Sequence, residues 1–160
     1  LAMRAGLTVL DMLEEELLPE RAGRLGEGLR SGLRDLAGRY EMLGEIRGMG
    51  LMNGIEFRPP ASARLRLLHA GFERMHPGLF GQMLVRFLLR EEGILTQMCG
   101  NNFRVVKASP PLTSTEDEIG RFLEAFGRTM EAVHGGAAFW TQGLAIAAQA
   151  LRPAPKASMA

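Results

Sequence analysis

The chain is organised around residues 100–113, which read GNNFRVVKASPPLT. Glycine and asparagine tolerate the positive φ angles of a tight reversal, so the first three residues predict a turn. The β-branched residues that follow predict a strand from Phe103 to Lys107. Because Pro110 and Pro111 lack N–H donors, they block further sheet pairing. The stretch therefore predicts a strand that leaves a turn and has a fixed end.

Lys107 is the candidate functional residue of this strand. Successive side chains of a strand point to opposite faces, so Phe103, Val105 and Lys107 share one face. Arg104 and Val106 then share the other face. Lys107 is thus a cation at the end of an otherwise apolar strand face. From the residues alone, it is either a solvated strand end or a binding group.

The bulk composition suits one globular domain. The 160 residues are 46% hydrophobic and 23% charged, which is enough to build a sizeable core. A net charge of +1 gives no reason to expect a nucleic acid or an anionic membrane as partner. The single cysteine, Cys99, excludes an internal disulfide and fits a reducing compartment, so we expect a cytoplasmic protein. No apolar run is long enough to span a bilayer. The first residues read as mid-helix, and we expect a fragment of a longer protein.

Apolar spacing and turn residues predict the other elements. Helices are expected over 1–17 and 19–38, in a short piece between 58 and 77, and over 79–92, 115–134 and 137–151. Strands are expected on both sides of a Gly-Met-Gly turn within 43–57, over 94–97 and over 103–107.

This order predicts an α+β fold, with a small, mostly antiparallel sheet in one layer and helices covering one of its faces. We expect one domain over residues 1–134. An apolar helix within 135–151 is predicted to dock on the body of the domain or on a partner chain. The Pro/Ala-rich tail, 152–160, is predicted to be disordered.

Three other motifs have structural explanations that outweigh functional ones. The lone Gly-x-Gly at Gly48 opens no helix, so a nucleotide site is not expected. His69 and His76 lack further ligands at metal spacing, and no metal is expected. The acids from Glu116 to Glu118 follow Thr115, and this pattern predicts a capping box in preference to a catalytic pair.

Four segments resemble the C-terminal small domain of class-III aminotransferases, which are fold-type-I enzymes dependent on pyridoxal 5′-phosphate (PLP). They read AGLTVLDMLEEELLPERAGRLG, EIRGMGLMNGIEF, LLREEGILT and FRVVKASPPLTSTEDEI, and they follow one another from residue 5 to residue 119. A finer resemblance, to the branch that includes hopanoid-biosynthesis aminotransferases, lies in FGQMLVRFLL, ILTQMCGNNF and AAFWTQGLAIA.

The resemblance implies a role for Lys107. In the family, the basic residue three places before the proline pair points into the active site, and in many members it is an arginine that holds a substrate carboxylate. A lysine lacks the two-pronged fit of arginine to a carboxylate. The resemblance also places the Schiff-base lysine and the PLP site in a large domain that precedes this one, and it implies that helices 1–38 link to that domain. No catalytic, cofactor-binding or metal-binding residue is therefore expected in this chain.

Two functional hypotheses remain open. In the first, the chain is the C-terminal part of an aminotransferase that moves an amino group from a small amino donor to an aldehyde or keto acid. Such an enzyme would be a homodimer, and the chain alone would be inactive. In the second, it is a stand-alone, non-catalytic α+β interaction module. A PLP-dependent lyase or racemase of the same family is a variant of the first hypothesis.

Overall fold

The computed structural model describes residues 1–150, and side-chain surroundings as far as residue 145. The predicted tail, 152–160, lies outside the described residues. The helices are α1 (Ala2–Glu15), α2 (Leu18–Arg39), α3 (Ala63–Met75), α4 (Leu79–Glu91), α5 (Glu116–Gly135) and α6 (Ala137–Ala150). The strands are β1 (Leu43–Met49), β2 (Met52–Phe57), β3 (Gln97–Cys99) and β4 (Asn102–Ala108).

The four strands form one antiparallel sheet in the order β1-β2-β4-β3. The α+β fold predicted from the order of elements is therefore confirmed. The stretch that organises the sequence becomes β4, an inner strand that pairs with β2 on one side and β3 on the other. In that register Val106 lies opposite Ile55, and Lys107 lies opposite Gly54. Neighbouring residues of β4 consequently belong to opposite faces, as alternation predicts.

One face of the sheet packs against helices and forms the core. Ile55 and Val106 are fully buried there, together with Leu29 and Leu33 of α2 and Phe126 of α5. Burial of these side chains supplies the main favourable term for folding, at about 25 cal/mol for each Å² of apolar surface removed from water. We call the other face of the sheet the open face, because Arg47, Lys107 and Gln97 are exposed on it.

Helix α2 holds the β1–β2 hairpin by direct backbone contact. A Cβ atom on Gly26 would overlap the carbonyl group of Gly50, so only glycine permits this approach. Arg30, which is 9% exposed, donates from Nη1 to the Gly50 carbonyl oxygen and to Asn53 Oδ1, each at 2.9 Å. The hairpin turn is therefore a close packing partner of this glycine-rich helix.

The hairpin turn lies two residues later than the sequence suggested. The prediction centred it on Gly48-Met49-Gly50, but Gly48 pairs with Asn53 inside the sheet. The turn is formed by Gly50 and Leu51, and Gly50 has the positive φ of 53° that a two-residue hairpin favours.

The strand predicted at Ile94–Gln97 is also displaced, because β3 begins at Gln97. Gly93, with φ of 70°, reverses the chain after α4, and the Ile94 N–H donates to the Leu88 carbonyl oxygen at 2.9 Å. Ile94 is partly buried against the core. The apolar residues before Gln97 therefore pack as an extended connection, and only the last predicted strand residue pairs.

The turn before β4 forms without the left-handed backbone that its residues allow. Gly100 and Asn101 make the turn, yet neither has a positive φ angle. A register shift between Met98 and Cys99 accompanies the reversal, and Asn102 Oδ1 accepts from the Arg104 N–H at 3.0 Å. The predicted turn is confirmed in place, but its expected conformation is wrong.

Helix α6 packs on α4 and α5 of the same chain. Phe139 and Trp140 are 1% and 3% exposed, and Trp140 Nε1 donates to the Val133 carbonyl oxygen of α5 at 2.9 Å. Trp140 also stacks on Phe80 of α4 with ring centroids 6.0 Å apart. Gly143 lies against the Met83 side chain, with no room for a Cβ. The helix thus completes an aromatic cluster between α3, α4 and α5.

Candidate functional site

The candidate site lies on the open face of the sheet, where the register places four residues in one row across the strands. Arg47 of β1 lies opposite Gly54 of β2, Gly54 lies opposite Lys107 of β4, and Lys107 lies opposite Gln97 of β3. We call these four residues the open-face row. Two cations are thus separated by a position without a side chain. Val105 fills the floor beside Gly54, since a Cβ at Gly54 would lie 3.3 Å from Val105 Cγ1.

Arg47 is compensated by carboxylates within the row's own face. Its Nη1 donates to Glu56 Oε2 at 2.6 Å and to Glu45 Oε2 at 3.0 Å. The hydrogen bond that Arg47 donates to Glu56, followed by the charges of Glu45 and Glu56, raises the pKa of the Arg47 guanidinium. Such exposed pairs contribute little to stability. Their effect here is electrostatic, because the two carboxylates neutralise the positive charge that Arg47 would otherwise present to a ligand.

Lys107 remains an unpaired cation among the described residues. It is exposed, and neither a carboxylate nor a hydrogen-bond acceptor contacts its ammonium group in that part of the chain. It lines an open depression of about 450 Å³ together with Leu95, Thr96, Gln97 and Ser109. The depression therefore combines one positive charge with two hydroxyl groups and one amide, and it can receive an anionic or oxygen-rich group.

The end of β4 that carries Lys107 is fixed from both sides. The Thr96 hydroxyl donates to the Lys107 carbonyl oxygen, which ties the connection before β3 to the strand. Beyond the proline pair, the Ser114 N–H donates to the Pro111 carbonyl oxygen at 3.0 Å. Arg21 of α2 donates to the carbonyl oxygen of Ser114 at 2.8 Å. The backbone that positions Lys107 is thus held by α2 and by the loop leading to α5.

Positive potential on the open face reaches the neighbouring thiol. The backbone N–H groups of Asn101 and Asn102, followed by the charges of Lys107 and Arg47, hold the pKa of the Cys99 thiol below its ordinary value. The strand register places both cations on the open face of the sheet.

The structure gives Thr115, Glu118 and His69 structural roles. Thr115 Oγ1 accepts from the Glu118 N–H at 3.2 Å, and Glu118 Oε2 accepts from the Thr115 N–H at 2.9 Å, so the capping box of α5 is confirmed. His69 is buried beside Phe80, and burial lowers its pKa. Within residues 1–150, no group of three or more His, Cys, Asp or Glu side chains is placed to hold a metal ion. No helix in the described part of the chain has the length and apolarity needed to span a membrane.

The sequence alone singles out Lys107 and none of its neighbours in the row. Arg47 and Gln97 were not singled out, because the pairing of β1 and β3 with the inner strands depends on where the turns fall. The register of β3 against β4 is needed to recognise that Thr96, Gln97 and Ser109 lie near Lys107. Arg104, on the opposite face from Lys107, lies at the exposed end of the strand and outside the core.

Comparison with known proteins identifies the family. The family model for aminotransferase class-III matches residues 1–130, and the chain belongs to this family. It is similar to the 5-aminovalerate aminotransferase DavT of Pseudomonas aeruginosa, with 31% identity over 125 residues. It is also similar to a diaminobutyrate–2-oxoglutarate aminotransferase of Rhizobium meliloti, with 33% identity over 134 residues. These matches cover 77% and 82% of this chain, but only 26% and 27% of the two relatives. The chain thus spans about a quarter of their length.

Solved structures show the same fold. An amine transaminase from an uncultivated Pseudomonas species, in its PLP-bound form, superimposes with a TM-score of 0.62 and 31% identity. The alignment covers 81% of this chain and 27% of that protein. A thermostable omega transaminase of Pseudomonas jessenii gives the same TM-score and identity over 78% of this chain and 25% of its own. The fold of this chain is therefore that of part of a fold-type-I PLP enzyme.

The described residues do not by themselves fit a PLP site. The cofactor is held through a lysine, but Lys107 is exposed at the end of a strand, and the other lysine, Lys156, lies outside the described residues. The buried polar side chains of residues 1–145 are Arg30, Asn53, His69, Ser114 and Thr129, and none of them is an acid that could face a ring nitrogen. No catalytic step is therefore assigned to these residues.

Proposed function

We propose that this chain is the substrate-pocket part of a PLP-dependent aminotransferase, carried on a longer polypeptide. That enzyme would transfer an amino group between a small amino donor and an aldehyde or keto acid. PLP would supply the electron sink for the reaction. The Schiff-base lysine and the remaining PLP contacts would come from outside this chain, and helices α1 and α2 would connect to them. We further propose a cytoplasmic homodimer.

The proposal rests on Lys107, which is a cation without a carboxylate partner among the described residues and lies on the open face of the sheet, at a strand end held by neighbouring contacts. Its position three residues before the proline pair is the one at which the family places a substrate-binding cation. The helices cover the opposite face, so the open face is the side on which a substrate and a second domain would meet this chain. Membership of the class-III family supports the reaction class.

The role of Lys107 is to bind and orient. Its ammonium group donates to an oxygen of the substrate and thereby fixes the distance of the reacting carbon from the cofactor. A lysine is a point charge with three donors and accepts more than one ligand geometry. We therefore propose substrates that present a carboxylate or another oxygen-rich group at the end remote from the reacting carbon.

Steady-state kinetics of the full-length protein test this role. Substrates should be compared in pairs that differ only in the remote carboxylate, which is present in one member and replaced by a methyl group in the other. Lys107→Ala should lower kcat/KM for the carboxylate member by about 10- to 150-fold, the loss expected for a hydrogen bond to a charged group. The methyl member should change little.

Arg104→Ala is the matched control, because it removes a positive charge from the same strand on the opposite face. It should leave kcat/KM of both substrates near the wild-type value. Lys107→Arg should retain most activity if the ligand is a carboxylate, since arginine binds carboxylates well. Equal losses for both members of the pair, or equal effects of Lys107→Ala and Arg104→Ala, would refute a substrate contact by Lys107.

A further inference from the structure

Gln97 faces Lys107 more closely than any other side chain of the open-face row. The two residues are direct cross-strand partners in the β3–β4 pair, and such partners have Cβ atoms about 4.5–5.5 Å apart. On the other side of Lys107 the partner is Gly54, which has no side chain. Of the two residues that lie directly opposite Lys107 in the sheet, Gln97 is thus the one whose side chain can share a ligand with the Lys107 ammonium group.

Both side chains are available to a ligand. Gln97 and Lys107 are exposed and line the same depression as Thr96 and Ser109. Within residues 1–145 the Gln97 amide makes no protein hydrogen bond, while the Thr96 hydroxyl is already engaged by the Lys107 carbonyl oxygen. The amide can therefore offer its N–H to a bound group without breaking an existing contact.

The charged side chains of the open face favour a ligand group that carries one negative charge. Glu45 and Glu56 both contact Arg47, and Glu56 lies diagonally across the β2–β4 pair from Lys107. A second anionic group of the ligand, placed over Gly54, would be repelled by these two carboxylates. A group placed between Lys107 and Gln97 meets one cation and one neutral amide.

We propose that Gln97 is a specificity-determining residue that binds one carboxylate group jointly with Lys107. One carboxylate oxygen accepts from the Lys107 ammonium, and the other accepts from the Gln97 amide N–H. The amide thus supplies the second donor that a lysine lacks in comparison with an arginine. This inference rests on the proposed function, in which Lys107 binds substrate, and it adds the second donor and the class of ligand, a monocarboxylate end group.

The chain itself permits a direct test, because it contains only two lysines, Lys107 and Lys156. Labelling with ¹³C,¹⁵N-lysine gives two side-chain signals by NMR, with Lys156 as the internal reference. Sodium acetate is the monocarboxylate probe, sodium phosphate is the tetrahedral anion, and sodium chloride keeps the ionic strength constant. In the wild-type chain acetate should shift the Lys107 signal to saturation, and phosphate should act more weakly.

Gln97→Leu should weaken acetate binding about three- to tenfold, the loss expected for one neutral hydrogen bond. Gln97→Glu should abolish the acetate response, because the new carboxylate occupies the ammonium group and repels the probe. Gln142→Leu, the same substitution on the exposed side of α6, should leave the response unchanged.

The outcomes separate this inference from the proposal on which it rests. Equal acetate affinity in the wild type and in Gln97→Leu overturns the role of Gln97 and leaves Lys107 as a binding group. Equal responses to acetate and phosphate overturn the carboxylate selectivity. A Lys107 signal that acetate does not shift in the wild type overturns the joint carboxylate site of Lys107 and Gln97, whereas the substrate contact of Lys107 is decided separately by the kinetics of the full-length protein. Circular dichroism of each variant verifies the fold, and the exposed position of Gln97 in a short edge strand makes the substitutions mild.

Discussion

Gly26 permits the close approach of α2 to the hairpin turn. A side chain there would overlap the Gly50 carbonyl group, and Gly50 itself needs its positive φ for the hairpin turn. Arg30 and Asn53 hold the same turn, since Arg30 Nη1 donates to the Gly50 carbonyl oxygen and to Asn53 Oδ1, and Asn53 Nδ2 donates to the Gly50 carbonyl oxygen. The hairpin that carries Arg47 and Gly54 is therefore anchored to α2 at this glycine.

We expect Gly26→Ala to destabilise the chain by about 1–3 kcal/mol, because overpacking a rigid backbone contact outweighs the gain in helix propensity. Gly28→Ala on the same helix is the control, since no atom lies within 4 Å of an added Cβ. That substitution should stabilise the chain by up to about 1 kcal/mol. Urea unfolding measures both, and equal effects of the two substitutions would contradict the contact.

Glu118 gives a prediction for pH. The Glu118 carboxylate accepts a hydrogen bond from the Thr115 N–H, and this bond holds the pKa of Glu118 below its ordinary value of 4.5. A carboxyl group with a lowered pKa in the folded state stabilises the fold above its unfolded pKa, and this contribution is lost as the pH falls through the folded pKa. The stability difference between the wild type and Glu118→Gln should therefore be largest at neutral pH and shrink below about pH 4.5. A difference that is constant from pH 7 to pH 3 would argue against the capping carboxylate.

At the scale of elements, α6 supplies packing that the α4–α5 pair alone lacks. Trp140 and Phe139 cover Phe80, and the indole N–H satisfies the Val133 carbonyl oxygen. This helix lies beyond residue 130, where the match to the family model ends. The aromatic cluster of this chain is therefore closed by a segment beyond the residues that match the family model.

Substitutions of Trp140 measure that contribution. Trp140→Ala should cost about 3–5 kcal/mol through the cavity it leaves, and Trp140→Phe should cost less because it mainly removes the indole hydrogen bond. Thr141→Ala, at the exposed neighbouring position, should be close to neutral. Denaturant unfolding of the three variants gives the comparison, and a Trp140→Ala variant as stable as Thr141→Ala would show that α6 does not pack on the body.

The sequence predicted which elements exist more reliably than where the strands end. Apolar periodicity and the capping box placed the helices, because these signals are local. The hairpin turn and β3 lie away from their predicted positions, because both positions depend on contacts with other elements. Helix α2 packs against Gly50 in the turn. Ile94, whose N–H donates to the Leu88 carbonyl oxygen of α4, packs against the core before β3 begins. Strand alternation assigned Lys107 to its face, whereas Gln97 could be paired with it only after β3 was known to start at that residue.

Within residues 1–145, the helices cover one side of the sheet, and two surfaces are left exposed. The open face carries the row of Arg47, Gly54, Lys107 and Gln97. Helix α1 has no buried residue, and Leu7 and Leu10 on it are 62% and 58% exposed. Apolar exposure of this extent is typical of surfaces that contact other protein. This arrangement supports the proposal that the chain completes a substrate pocket together with further parts of a longer protein.

A structure of the full-length protein with PLP and a carboxylate-bearing substrate analogue would show whether Lys107 contacts substrate from the open face. We predict that Lys107 Nζ lies about 2.7–3.2 Å from a carboxylate oxygen of the analogue, within hydrogen-bond distance. The Gln97 amide N–H should donate a hydrogen bond to the second oxygen of the same carboxylate. A structure in which the open face of the sheet is turned to bulk solvent, with Lys107 far from the bound analogue, would contradict the account.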